Sequence, residues 1–502
     1  MRRLQKEFPL LWKLLRDAVS KGIDVCTDYS AVGTLERACI LVERAVVACA
    51  EEDGSSSKLS TSEGSAGFRF HRACDIDVAC RRALHSLPDG DVPGSDRHPC
   101  VLGDICERIT VATRRSMETR CAEFELRLND NALIQSDALL PMLQDLLKMV
   151  EADETFQSNG LLYCFKHAHK CSLHGDPSLP RRGSRTELWG GGNCCQAWSS
   201  IGQQTRWLGD ATIPLIIWIA NIKSASGPDV LVQECTKRFD VTTFRKLLGS
   251  AFKVMERTLC PTELGLPVRR ERKWTISVRR ERRHVRFEFC DPLFDRVFYR
   301  TLESNGAIYL TQGEEGRVRR EEELHARARR LSIPATRVDG NQWSFIETLN
   351  PGYRQRLLAY KDQAKEAIAK GACDASTVHL VNLEQDASSG FGQHSFVVPT
   401  LLRNSTIVKL DVDGDADELL TSMEHFTVMG WPSCGGYKSQ PSLKDVISSF
   451  SDRERRKMTG NAMHVEVCGV VVIHALLTSA EELDDETSLS ATACASGCLL
   501  GS

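Results

Sequence analysis

The stretch IDVCTDYSAVGTLE, residues 23–36, decides how this chain begins to fold. Its apolar start, residues 23–26, predicts a short buried strand, and the residues after Gly33 carry a helical pattern that runs to Val47. A strand that enters a tight turn of small residues at a helix N-terminus presents backbone N–H groups and the positive end of the helix dipole to a ligand. The stretch therefore predicts a strand–turn–helix unit with a cofactor's polar end at the turn.

Two further strand ends extend this pattern. Residues 68–74 predict a second strand that ends at Asp75, and a carboxylate in that place can hydrogen-bond ribose hydroxyls. Residues 101–105 predict the end of a third strand that would flank an adenine ring. Each feature alone is most often structural, whereas their succession indicates a cofactor-binding α/β unit.

Length and composition limit the class of protein. A chain of 502 residues exceeds one ordinary core and predicts two or three domains. Its 42% apolar and 26% charged residues are typical of a folded soluble protein, and its net charge of -3 means that any nucleic-acid contact must use a local patch. The longest apolar runs, 213–219 and 467–477, are too short to span a bilayer, so we expect no membrane contact. Twenty scattered cysteines without a secretory signal predict reduced thiols.

The glycine-rich segment GGGNCCQAWS, residues 190–199, predicts a loop that places Cys195 among polar residues. Cys195 has two interpretations, a buried structural thiol or a nucleophile. A later basic run, residues 269–286, likewise has two, an edge strand guarded by arginines or a DNA-facing surface.

The order of these pieces resembles that of DNA cytosine-5 methyltransferases, which use S-adenosylmethionine. The segments that carry the resemblance are residues 29–34, 74–77, 103–105, 195–196, 232–236, 265–272, 420–432 and 460–462. The resemblance implies an α/β class I S-adenosylmethionine-dependent methyltransferase fold, a Rossmann-like doubly wound sheet with helices on both faces, and a smaller target-recognition region. It also implies a DNA partner, with transfer RNA as the substrate of the smallest family members.

The resemblance assigns roles to individual residues. Cys195 would add to C6 of cytosine, Glu234 would protonate or hydrogen-bond the ring at N3, and Arg270 and Arg272 would hold the base carbonyl. The residues implied for cofactor binding are Tyr29, Ser30, Gly33, Asp75, Asp104, Ile105 and Asn461.

Some positions depart from the family pattern. Cys194 replaces a proline that stiffens the loop, Cys235 replaces an asparagine, and Val268 stands where a glutamine is usual. Ala31 and Thr34 crowd the cofactor turn because only glycine adopts positive φ freely. A catalytically impaired nucleic-acid-binding or scaffold protein is therefore an alternative to a DNA or RNA cytosine-5 methyltransferase. A cofactor-binding regulator is a third alternative. The function alone implies a nuclear location, with the cytoplasm otherwise, and the sequence does not indicate an oligomeric state.

The expected domain organisation follows the same resemblance and the loop composition. We expect an N-terminal helix in 1–20, a cofactor-binding and catalytic domain in 21–278 with insertions at 50–67 and 110–188, a target-recognition region in 279–400, a C-terminal segment in 401–478 that returns to the catalytic domain, and a disordered tail in 479–502.

A second cluster of ligand-type side chains lies in residues 164–174. Cys164, His167, His169 and Cys171, followed by His174, have spacings that can reach one zinc ion. The alternative is a local polar loop, since no second pair follows at a finger-like separation.

Overall fold

The computed structural model describes thirteen stretches of the chain. They are residues 1–52, 67–86, 100–128, 136–158, 160–173, 185–192, 196–199, 204–332, 337–338, 342–343, 345–388, 396–431 and 441–480. Most of the insertion predicted at 50–67, most of the predicted tail, His174, Cys194 and Cys195 lie outside them.

Sixteen helices and sixteen strands lie in the described residues. The helices are α1 Arg2–Glu7, α2 Pro9–Lys21, α3 Thr34–Glu52, α4 Val78–Ser86, α5 Val111–Leu128, α6 Ser136–Glu151, α7 Glu154–Gln157, α8 Thr212–Lys223, α9 Val241–Leu248, α10 Pro292–Phe298, α11 Gly313–Arg330, α12 Pro351–Ala369, α13 Ser422–Val428, α14 Pro441–Ser448, α15 Asp452–Asn461 and α16 Val465–Thr478. The strands are β1 Ile23–Asp28, β2 Phe68–Cys74, β3 Cys100–Leu102, β4 Leu161–Cys164, β5 His169–Ser172, β6 Thr186–Gly192, β7 Val230–Thr236, β8 Phe252–Leu259, β9 Arg272–Arg279, β10 His284–Val285, β11 Arg337–Val338, β12 Gln342–Trp343, β13 Leu380–Asn382, β14 Ile407–Lys409, β15 Glu418–Leu419 and β16 Ser479–Ala480.

A seven-stranded sheet organises the chain in the order β3-β2-β1-β6-β7-β9-β8. Strands β3, β2, β1, β6 and β7 run parallel, and β9 is antiparallel to both of its neighbours. A doubly wound parallel sheet with one reversed strand inserted near its far edge defines the class I methyltransferase fold. The predicted fold class is confirmed by this strand order.

Helices cover both faces of the sheet because the strand side chains alternate between two cores. In β7, Val230 and Val232 belong to the core formed with α2, α3 and α16, whereas Leu231 and Cys235 belong to the core formed with α6, α8 and α9. Strands that are buried on both faces carry apolar runs, and β7 has such a run at residues 230–232, before the buried polar residues Gln233 and Glu234. The segment Asp452–Thr478 is long and apolar enough to cross a membrane, but 78% of its apolar window is buried inside the protein, as in a core helix.

Two glycines of the 190–199 loop are needed by the packing of β6. A side chain at Gly190 would collide with Leu35 of α3, and one at Gly191 would lie 2.9 Å from both the Asp28 carbonyl and the Trp218 ring. The first two glycines therefore let β6 lie close to elements on both faces of the sheet.

Three local predictions need correction. The N-terminal helix is two helices, because Pro9 starts α2. The apolar spacing in residues 243–257 predicts one helix over that range, but the helix ends before Gly249, whose φ is 71°, and strand β8 follows from Phe252. The basic run is not an edge strand, since β9 lies between β7 and β8.

A smaller core forms beside the main sheet. It includes Leu324 of α11, Leu357 of α12, and residues of the three-stranded sheet β13-β14-β15. This sheet crosses the predicted boundary at residue 400, because β13 pairs with β14. The first part of the predicted target-recognition region, through α10, packs in the main core instead.

Candidate functional site

Most of the residues predicted to bind cofactor or cytosine lie along one edge of the main sheet. Tyr29, Asp75 and Asp104 follow the carboxyl ends of β1, β2 and β3, and Glu234 lies near the carboxyl end of β7. These strands are parallel, so their carboxyl ends share an edge, which is where open α/β sheets bind ligands.

The turn between β1 and α3 is fastened to the end of β2. Ser30 N donates to the Cys74 carbonyl at 2.9 Å, and Cys74 N donates to Ser30 Oγ at 3.0 Å. Ala31 N donates to Asp75 Oδ2 at 2.8 Å. The predicted turn and the predicted acidic strand end are therefore in direct contact.

The turn adopts the left-handed conformation at three positions. The φ angles are 54° at Tyr29, 49° at Ala31 and 84° at Gly33. Only Gly33 takes such an angle without steric cost, so Tyr29 and Ala31 store strain of about 1–2 kcal/mol each. The left-handed φ of Ala31 therefore supports the expectation that a non-glycine residue is unfavourable at this position of the turn.

Two carboxyl groups beside the turn are shifted toward their neutral forms. Burial raises the pKa of Asp75 to about 6, and burial raises the pKa of Glu36 to about 7. Asp75 accepts N–H groups from Ala31 and Asp77, and Thr27 Oγ1 donates to Glu36. Each oxygen of Asp75 keeps a lone pair that can accept a hydroxyl.

A buried ion cluster lies under the turn. Asp28, the last residue of β1, accepts hydrogen bonds from Arg72 and Arg108, and these guanidinium groups hold its pKa well below the usual range. Arg72 also lies 4.3 Å above the Trp189 ring of β6. The cluster ties the end of β1 to its neighbours.

Beside the end of β3 lie side chains that the sequence did not identify as part of the site. A side chain at Gly103 would lie 3.1 Å from the Phe165 ring, and Arg81 lies 4.3 Å over the same ring. Arg81 also donates to the Ile76 carbonyl at 2.7 Å. Phe165 is 40% exposed and Ile76 is 68% exposed. The signal available in the sequence was Ile76, an apolar residue directly after Asp75.

Asp104 and Ile105 have local structural contacts. Asp104 Oδ1 accepts Cys106 N at 2.9 Å, and its other oxygen lies 3.6 Å from Arg114. Ile105 is buried in the core formed with α6 and α8. Both residues keep the predicted position at the end of β3, with Ile105 turned inward.

The residues predicted to be catalytic centre on Glu234. This carboxylate is 5% exposed, and its Oε1 lies 3.1 Å from Arg272 Nε at the start of β9. Glu234 pairs in register with Gly192, the last residue of β6. A Cβ at Gly192 would lie 3.8 Å from Glu234 Oε2, 3.7 Å from the Tyr29 carbonyl and 3.6 Å from Met463 Cγ. Gly192 therefore marks the point where the turn, Glu234 and the C-terminal segment meet.

Cys195 lies outside the described residues, three positions after Gly192 in the sequence. The chain is described again from Gln196, and Trp198 packs against Trp207 and Phe239. Trp198 also offers its carbonyl to Thr236 Oγ1 at 3.3 Å. The residues that follow Cys195 are thus anchored to the end of β7.

Arg270 has contacts that differ from its predicted role. Its guanidinium donates to the carbonyls of Leu401 at 3.1 Å, Gly460 at 3.3 Å and Ala462 at 2.6 Å, and the residue is 4% exposed. These contacts join the C-terminal segment to the chain just before β9. Of the two predicted arginines, Arg272 is the one that lies beside Glu234.

Asn461 is the last residue of α15 and lies between Gly460 and Ala462, whose carbonyls accept hydrogen bonds from Arg270. Its side-chain oxygen accepts Arg403 Nε at 3.0 Å. Met463, two residues later, lies beside Gly192. The C-terminal segment therefore reaches the sheet edge at Gly192, while the Asn461 side chain pairs with Arg403.

The arginines of the basic run bind backbone in the same way. Arg279 donates to the carbonyls of Pro228, Ile222 and Ser224, and Arg282 donates to that of Gly227. These contacts favour a structural role for this part of the run over a DNA-facing one.

Solved methyltransferase structures are similar to this chain at low sequence identity. No protein-family model and no curated protein matches this sequence. Among solved structures, the chain is similar to the S. pombe Dnmt2 methyltransferase, with 11% identity, a TM-score of 0.44, and 91% of this chain and 98% of that chain covered. It is also similar to the Entamoeba histolytica methyltransferase EhMeth, with 10% identity, a TM-score of 0.39, and coverage of 91% and 98%. A Spodoptera frugiperda DNMT2 mutant gives 12% identity, a TM-score of 0.38, and coverage of 90% and 99%.

Proposed function

We propose that this chain transfers a methyl group from S-adenosylmethionine to C5 of cytosine in DNA, through a covalent adduct with Cys195. The observation that carries the proposal is the Glu234–Arg272 ion pair beside Gly192, on the sheet edge that also holds the turn of residues 29–33. The order of motifs along the sequence supports the same assignment.

The residues at the cofactor end have suitable chemistry for S-adenosylmethionine. Asp75 retains lone pairs for ribose hydroxyls, and Ile76 and Phe165 expose apolar side chains that suit an adenine ring. Asp104 supplies an acceptor at the end of the next strand. When bound, the cofactor supplies an electrophilic methyl group.

The chain's own groups activate the base. The Cys195 thiolate forms a bond to C6, and the electron pair of the C5–C6 double bond moves onto C5. Glu234 holds a proton at N3, which stabilises the negative charge that develops on the ring, and Arg272 fixes the Glu234 carboxyl group. After methylation, a water molecule takes the C5 proton, the double bond re-forms and the Cys195 thiolate is expelled.

A catalytically impaired nucleic-acid-binding protein is the second candidate. The non-glycine residues Tyr29 and Ala31 at left-handed positions of the turn favour it, because glycine there would let a cofactor approach the backbone more closely. Methylation of RNA is the alternative substrate class for the same chemistry.

Methyl transfer to defined nucleic acids tests the proposal. The full chain is incubated with labelled S-adenosylmethionine and either duplex DNA or an RNA hairpin, and label in cytosine is measured. We expect label in DNA cytosine, incorporated about 10²–10⁴-fold more slowly by Glu234→Gln at equal protein concentration. Label in RNA alone would move the substrate to RNA. Nucleic-acid binding without label would support the impaired protein, and cofactor binding without either would support a regulator.

A further inference from the structure

Four ordinary zinc ligands meet where β3 contacts the hairpin β4–β5. The donor atoms of Cys100, Cys164, His167 and Cys171 all lie within 4.8 Å of one another. His167 Nδ1 lies 3.6 Å from Cys100 Sγ, 3.4 Å from Cys164 Sγ and 3.3 Å from Cys171 Sγ. In a tetrahedral site with Zn–S of about 2.3 Å and Zn–N of about 2.0 Å, sulfur and nitrogen ligands are about 3.5 Å apart. The spacing therefore fits one tetrahedral ion.

We propose that Cys100, Cys164, His167 and Cys171 bind one structural zinc ion. Three thiolates and one imidazole complete a tetrahedral shell and leave no open position for substrate, as in structural sites. Sequence spacing alone pointed to His169 as the fourth ligand. In the structure His169 Nδ1 lies 3.5 Å from Cys171 Sγ but outside the group of four, and Cys100 takes its place.

The surroundings of Cys164 suit a metal thiolate. Backbone N–H groups of Val101, Lys166 and His167 are directed at its sulfur. Such donors orient a ligand and stabilise its charge from the second coordination shell. The His169 ring stacks on His167 with centroids 5.7 Å apart, which helps to hold the ligand ring in place.

The hairpin β4–β5 needs a cross-link such as a metal ion because its own hydrophobic core is small. Its strands have four residues each, and the buried cluster beneath them consists of Cys74, Leu102, Leu162, Cys164 and Leu173. Small cores are commonly completed by a metal or a disulfide. The ion joins the hairpin to Cys100 of β3, and Phe165, whose N–H donates to the Val101 carbonyl at 2.8 Å, is thereby fixed over Gly103.

Metal analysis of the full-length protein, purified under reducing conditions without chelator, tests the site. We expect one zinc ion per chain in the wild type, and loss of zinc in Cys164→Ser and His167→Asn. The matched controls His169→Asn and Cys121→Ser should retain zinc. X-ray absorption of the wild type, which needs no variant to fold, should show three sulfur ligands at about 2.3 Å and one nitrogen at about 2.0 Å.

Two outcomes would overturn the site. One is wild-type protein without zinc, and the other is a disulfide between any two of Cys100, Cys164 and Cys171 in the freshly purified chain. Zinc content is measured without cofactor or nucleic acid, so its result is independent of the proposed methyl transfer.

Discussion

Arg272 Nε lies 3.1 Å from Glu234 Oε1, across the boundary between the parallel part of the sheet and its one reversed strand. On its other side, Glu234 pairs in register with Gly192, the last residue of β6, which precedes Cys195 by three positions in the sequence. The position of this carboxylate is thus set by two strand pairings rather than by a loop. A rigid sheet edge is the kind of support that catalytic groups require.

The first prediction concerns Glu234 itself. Glu234→Gln should lower the rate of methyl transfer by about 10²–10⁴-fold, because the amide cannot exchange a proton with the ring. Cofactor affinity should be unchanged. The matched control is Glu256→Gln, which removes another strand carboxylate with basic neighbours, Arg245 and Lys273. Equal rate losses in both variants would remove Glu234 from the mechanism.

Substitution of Arg270 should lower the stability of the fold rather than weaken the binding of the target cytosine. Arg270→Ala leaves buried carbonyls of the C-terminal segment without a donor, so the free energy of unfolding should fall by about 2–4 kcal/mol. Arg269→Ala, at an exposed neighbouring position, should change it by less than about 0.5 kcal/mol. Denaturant unfolding measures both. A wild-type stability for Arg270→Ala, with a raised KM for DNA, would restore the predicted base-binding role.

Strain at the turn predicts an unusual response to glycine. Ala31→Gly should cost almost nothing or stabilise the fold, because relief of the left-handed strain offsets the extra freedom of the unfolded chain. Ala122→Gly, in the exposed face of α5, should destabilise by about 1 kcal/mol. Equal losses for the two variants in thermal unfolding would show that the turn is unstrained.

Glu36 predicts a pH dependence of stability. Its pKa is about 7 in the folded chain against an ordinary 4.5, so folding favours the neutral carboxyl. That contribution is complete below about pH 4.5 and is lost as the pH rises through about 7. Glu36→Gln cannot ionise and keeps an acceptor for Thr27. The variant should therefore gain stability relative to the wild type, from nearly zero at about pH 4 to about 3 kcal/mol at about pH 8. A difference that does not vary with pH would contradict the buried neutral Glu36.

Local patterns predicted the strand–turn–helix of residues 23–47 and the acidic end of β2, because both lie within a short stretch of sequence. The same reasoning was wrong over residues 243–257, where apolar residues fit a helix until Gly249 ends it. The alternation that makes β8 was hidden by the preceding helical pattern.

The remaining features depend on contacts between distant parts of the chain. Cys100 lies far from Cys164 in sequence. The two residues come together only because β3 lies beside the hairpin β4–β5. Spacing likewise could not show that Arg270 turns toward backbone carbonyls while Arg272 turns toward Glu234. Side-chain direction in these cases is decided by tertiary packing.

Covalent trapping tests the central claim most directly. Wild type, Cys195→Ala and Cys194→Ala are incubated with S-adenosylmethionine and DNA that contains 5-fluorocytosine, whose fluorine cannot leave as the C5 proton does. Denaturing electrophoresis and peptide mass spectrometry then locate any adduct. We predict a stable DNA adduct on Cys195 in the wild type and in Cys194→Ala, and none in Cys195→Ala. An adduct on Cys194, or no adduct in a wild-type protein that binds both cofactor and DNA, would contradict the account.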